Sequence, residues 1–138
     1  MTVNGPAPYF QFDGTALQAL GRWQDVFGGE LRIATFADFS RTDGPADAVA
    51  HGELTGGGIT LFAADIAAGE TSFSATGLSF SLLGAAEPEV LRGWFDDLAS
   101  DGTVVDALQE RPWGDWDGTV RDVSGVTWLI GFEAAALS

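Results

Sequence analysis

His51 is the only histidine in the chain, and Glu53 follows it by two positions. On an extended segment that spacing puts both side chains on one face. An imidazole beside a carboxylate can serve as an oriented general base, or as two arms of a metal site. A metal would want at least one more protein ligand, and the sequence offers no obvious one. The same pair also fits an ion pair or a structural hydrogen bond on a sheet surface. A single histidine excludes two-histidine metal sites, and the absence of cysteine removes disulfides, thiolate ligands and thiol nucleophiles.

The five tryptophans are the other residues that could meet a ligand. Trp113 and Trp116 lie in the stretch Arg111-Pro112-Trp113-Gly114-Asp115-Trp116-Asp117-Gly118, beside carboxylates. Aromatic faces rimmed by aspartate suit a flat or cationic molecule, through stacking and cation–π attraction. A loop lid or a dimer contact is the competing reading. Trp128 falls on the inward face of the last expected strand, as core or as pocket wall. Trp23 and Trp94 sit on apolar helical stripes and are expected in the core.

Charge narrows the choice of partner. Acidic residues number 20 against 6 basic ones, a formal net charge of −14. Such a field repels phosphate backbones, which argues against nucleic acid as a partner. It would attract a cationic compound, although a GC-rich genome or a salty cytoplasm yields the same composition. No apolar run approaches the roughly 18–20 residues of a membrane helix. Met1-Thr2-Val3-Asn4-Gly5-Pro6 has neither the basic nor the apolar region of a secretory signal. The expectation is a soluble, cytoplasmic domain that binds neither membrane nor nucleic acid.

The elements that must position these residues come in two matching sets. Ala16, Leu17, Ala19, Leu20, Trp23, Val26 and Phe27 form a helical stripe. Thr15 with Gln18 gives a capping-box signature, and Gly28-Gly29 supplies a stop. Val90, Leu91, Trp94, Phe95 and Leu98 form a second stripe, opened by Pro88 and ended by Asp101-Gly102. Leu20 and Leu91, Trp23 and Trp94, and Phe27 and Leu98 are each 71 positions apart, and the offset carries Phe12 onto Leu83. Strands are predicted over 8–12, 30–35, 48–55 and 59–63, with Gly56-Gly57-Gly58 as a hairpin. The second set comprises a strand alternating Leu78, Phe80 and Leu82 with serines, then 103–108, 119–122 and 126–132. Each copy reads as a β-α-β-β-β unit, and residues 40–47 and 109–116 are expected to be loops.

Several of these segments resemble PhnB-like proteins of the vicinal oxygen chelate superfamily, which includes glyoxalase I, bleomycin-resistance proteins and extradiol dioxygenases. The resemblance rests on Pro8-Tyr9-Phe10-Gln11-Phe12-Asp13-Gly14, Trp23-Gln24-Asp25-Val26-Phe27-Gly28-Gly29-Glu30-Leu31 and His51-Gly52-Glu53-Leu54. It continues in Trp113-Gly114-Asp115 and Arg121-Asp122-Val123-Ser124-Gly125-Val126-Thr127-Trp128, so it runs nearly end to end. It implies an α+β fold of two tandem modules, 1–66 and 67–138, each a curled mixed sheet with one main helix, together forming a cup. Homodimers are common in the superfamily, and a homodimer is expected.

Metal-dependent members carry His, Gln or Glu on the first and last strands of each module. Those positions fall here near Ala7, on Leu61 or Phe62, among Leu78 and Ser79, and on Leu129. The resemblance therefore implies that the usual metal centre is missing, and no cofactor is expected. The preferred expectation is a metal-free small-molecule binder with a cup lined by Phe10, Phe12, His51, Glu53, Phe62, Trp113, Trp116 and Trp128. The alternative is a metal-dependent, glyoxalase-type lyase or isomerase with a shifted site around His51 and Glu53. A protein–protein module without a ligand is a third reading. No glycine-rich strand–helix turn for S-adenosylmethionine is present, so methyl transfer gains no support.

Overall fold

A computed structural model describes residues 5–137. Met1 to Asn4, on which the reading of the leader rests, lie outside the described residues. The chain divides between Phe73 and Ser74 into two compact units. Residues 67–73, assigned from sequence to the second module, are compact with the first, because the Phe73 ring packs on Phe10 and Phe12 at 5.2 and 6.0 Å.

The first unit runs β1 (Tyr9–Phe12), α1 (Ala16–Phe27), β2 (Glu30–Thr35), a short 3-10 turn (Ala37–Phe39), β3 (Val49–Thr55) and β4 (Leu61–Asp65). Its sheet has the order β1-β4-β3-β2, with β1 parallel to β4 and the other neighbours antiparallel. The second unit repeats the plan with β5 (Phe80–Leu83), α2 (Pro88–Ser100), β6 (Thr103–Glu110), β7 (Trp116–Arg121) and β8 (Thr127–Phe132), followed by a 3-10 turn (Ala134–Leu137). Its order is β5-β8-β7-β6, again with one parallel pair, β5 and β8. Two tandem βαβββ modules, each a mixed four-stranded sheet with one main helix, are the observed architecture. No helix among the described residues is long and apolar enough to cross a membrane.

Each helix buries its apolar stripe. Ala16, Leu20 and Trp23 are fully buried in α1, as are Leu91 and Leu98 in α2. Trp23 receives Phe10 and Phe12 from β1 at ring separations of 5.1 and 6.1 Å. Gly56 and Gly58 take φ of 84° and 95° in the hairpin after β3, a region that side chains avoid. Between them, a Cβ on Gly57 would meet the Phe27 and Gly28 carbonyl oxygens at 2.6 and 2.5 Å. The glycines that stop α1 and those that turn the hairpin therefore meet backbone to backbone.

Four sequence expectations are corrected. The Thr15 side chain makes no cap; Asp65, at the end of β4, accepts the Ala16 N–H at 3.0 Å and the Val49 N–H at 2.9 Å. Being buried, this carboxylate outcompetes a hydroxyl for the helix N-terminus. Trp116 opens β7 instead of sitting in a loop, because it pairs with both Glu110 and Phe132. The 71-residue repeat holds for the first strands but not for their faces: Phe12 is buried whereas Leu83 is 52% exposed. In β5 the apolar side is Phe80 and Leu82, paired with Trp128 and Ile130 of β8, so the pattern is shifted by one residue. Leu78 precedes β5 and is exposed, so the strand is shorter than its alternation suggested.

Candidate functional site

Two clusters, one in each unit, bring together residues able to meet a ligand. In the first unit, β1, β4 and β3 are adjacent, with Tyr9 opposite Phe62 and Phe62 opposite Glu53. Phe10 and Phe12 turn toward α1 and Trp23, so by strand alternation Tyr9 occupies the opposite face. There the Tyr9 hydroxyl lies 3.1 Å from His51 Nδ1, and His51 Nε2 lies 3.1 Å from Glu53 Oε2. Because a carboxylate can only accept, Nε2 donates to Glu53, and in the neutral tautomer with its proton there Nδ1 accepts from Tyr9 O–H. Phe62 backs the group, with its ring 5.8 Å from His51 and 6.1 Å from Tyr9.

Burial grades along this chain of hydrogen bonds. The Glu53 side chain is 11% exposed, that of His51 35%, and Tyr9 stands at the open end. Partial burial pushes the Tyr9 phenol above its ordinary value, opposed by the charge of Arg41. Arg41 itself is held by a two-pronged bond to Asp43 at 2.9 and 2.7 Å and lies 4.0 Å from the Phe36 ring centre. That guanidinium holds the Asp43 carboxyl below the usual carboxylate range. His51 and Glu53 are thus together, and Tyr9 completes them. The sequence named Tyr9 in a motif but gave it no role, since its partners come from strands far along the chain.

In the second unit a cavity of about 580 Å³ lies among residues of β5, β7, β8 and the segments beside them, within the usual range for small-molecule sites. Its lining includes Trp113 and Trp116 with four carboxylates, Glu87, Asp115, Asp117 and Glu133, and contains no basic residue. Trp113 is 69% exposed. Trp116 is held from within the fold: it stacks on Phe132 at 6.1 Å and 17°, and the Arg92 guanidinium lies 4.6 Å from its centre. Arg111 bonds Asp117 at 2.7 Å and Asp106 at 2.6 Å, so Asp117 is already paired. Asp115 accepts the Ala134 N–H at 3.0 Å. Glu87 and Glu133 are exposed and complete the acidic rim.

The other residues named from sequence have structural work. Phe10 and Phe12 are buried against Trp23 and Phe73. Trp128 is buried, and its indole N–H donates to Asp122 at 2.9 Å. Of the positions where the resemblance implies metal ligands, Ala7 precedes β1, exposed Leu78 and Ser79 precede β5, and, of the rest, Leu61 and Phe62 are buried side chains of β4 and Leu129 belongs to β8. Apart from the Ser79 hydroxyl these side chains have no donor atoms, so they do not fit a divalent ion. Among the described residues no group of three or more His, Asp or Glu could hold one.

No protein-family model matches the chain. It is 28% identical to Protein YjdN of Escherichia coli (strain K12), with 90% of this chain and 92% of that protein covered. Among solved structures, protein PA1353 from Pseudomonas aeruginosa superposes with a TM-score of 0.78 at 26% identity, covering 95% of this chain and 98% of that one. A PhnB protein from Bacillus cereus gives 0.75 at 20% identity, covering 94% of this chain and 99% of that one.

Proposed function

We propose that this chain, which has the PhnB-like fold of the vicinal oxygen chelate superfamily, is a metal-free small-molecule binding protein whose ligand is a flat organic cation. The observation that carries the reading is the cavity of the second unit, where two indoles and four carboxylates meet with no basic lining residue. Carboxylates at the rim raise the local concentration of a cation, and an indole face holds it by cation–π attraction worth roughly 0.5–2 kcal/mol. Arg92 already occupies a place over Trp116. Trp113 is therefore the ring that meets the ligand, with Trp116 as a fixed wall.

Support also comes from the donor set: at the superfamily's metal positions Ala7, Leu61, Phe62, Leu78 and Leu129 offer no ligand and Ser79 only a lone hydroxyl, while the acidic cavity is built from residues that need no metal. Sequestration of a cationic compound in the cytoplasm fits this site and the charge of −14. A homodimer is proposed from the resemblance, and size-exclusion chromatography with light scattering tests it. The binding reading is tested by calorimetric titration with N-methylquinolinium, alongside Trp113→Ala and Glu133→Gln. Saturable binding that weakens in both variants supports the proposal, and binding unchanged in both overturns it.

A further inference from the structure

The cavity leaves the Tyr9–His51–Glu53 chain in the first unit without a role. From its geometry we infer that these three residues form a metal-free proton-transfer site, with the Tyr9 hydroxyl as the group that touches a weakly acidic, neutral, flat molecule. The inference stands apart from the cavity, since each rests on residues of a different unit.

Three observations carry it. Tyr9 Oη, His51 and Glu53 form one continuous path, 3.1 Å at each link, and with Nε2–H donating to the carboxylate the neutral imidazole accepts from Tyr9 O–H at Nδ1. Exposure rises along that path, with an almost buried carboxylate at one end and a hydroxyl on a 48% exposed tyrosine at the other. This is the arrangement of a reacting group, a proton acceptor and an orienting partner. Finally, both imidazole nitrogens are engaged, so a metal could take one only by breaking the chain.

The step balances without an added reagent. The Tyr9 oxygen takes the proton of the bound acid as its own proton passes to His51 Nδ1. His51 becomes an imidazolium, whose charge Glu53 offsets, and the ligand becomes its conjugate anion. Reversal along the same path returns a proton to the ligand, at the same atom or a neighbouring one. The class of reaction is therefore proton exchange or isomerisation. Phe62 is buried behind Tyr9 and His51 and holds both rings in place.

The test uses the full chain and β-tetralone, a flat neutral ketone with acidic benzylic protons. Its hydrogen–deuterium exchange in heavy water is followed by proton NMR. The wild-type chain is expected to exceed free imidazole at equal concentration by roughly 10²-fold, the usual yield of a positioned acid–base group. Tyr9→Phe and His51→Gln should each lose at least tenfold. Glu53→Gln keeps a hydrogen-bonding side chain but removes the charge, so it should lower the maximal rate while leaving half-saturation unchanged. Circular dichroism verifies that each variant folds. A wild-type rate no greater than that of imidazole overturns the inference, as does an unchanged rate in folded Tyr9→Phe.

Discussion

Trp116 of β7 stacks on Phe132 of β8 with 6.1 Å between ring centres and 17° between their planes. The Arg92 guanidinium of α2 lies over both rings, at 4.6 and 5.1 Å. One wall of the cavity is thus fixed by the fold before any ligand arrives, whereas Trp113 projects freely. The two tryptophans, three positions apart in sequence, have different jobs.

That difference is measurable. Trp113→Ala is expected to weaken binding of N-methylquinolinium by about tenfold, the upper range of one cation–π contact, with an unchanged melting temperature. Trp116→Ala is expected to cost about 2–3 kcal/mol of stability through the lost stack and the lost Arg92 contact. Thermal melts and calorimetric titrations of both variants separate the two effects.

Asp65 gives a prediction about the first unit. Its two oxygens hold the Ala16 and Val49 N–H groups, on residues that are at most 1% exposed. Asp65→Ala leaves both donors unpaired and should destabilise the protein by about 2–4 kcal/mol in urea unfolding. Asp65→Asn retains one accepting oxygen and should cost about half as much.

Tyr9 is the sole tyrosine, so its ionisation can be read directly from the near-ultraviolet phenolate band. Its burial-raised pKa should place the midpoint above 10.0 in the folded protein. The native state holds this proton more tightly than the unfolded chain. Its stabilising contribution is therefore complete below the unfolded pKa and is lost as pH rises through the folded one. A midpoint at or below that of unfolded chain in urea would contradict the placement of Tyr9 at the sheet.

Much of this was legible in the residues. The stripe from Ala16 to Phe27 located α1 because a helix that buries one face must repeat every three or four positions. The spacing of His51 and Glu53 put them on one face because strand side chains alternate. The same alternation could have moved attention from Phe10 and Phe12 to Tyr9, had the direction of α1 been known. Partners distant in sequence were invisible: Asp65 reaches back 49 positions to cap α1, and Tyr9 meets His51 across 42. The opening of β7 was missed because Pro112, Gly114 and the two aspartates flanking Trp116 carry turn chemistry, which cross-strand pairing with Phe132 overrides.

The central claim is a cavity that selects a flat molecule by its charge. The most direct measurement compares, by calorimetry, N-methylquinolinium with its neutral isostere methylnaphthalene at low and high salt. The account predicts that the cation binds at least about tenfold more tightly at low salt and loses most of that advantage at high salt, as screening of the carboxylates requires. Equal affinity for the two molecules, or no binding of either, would contradict it.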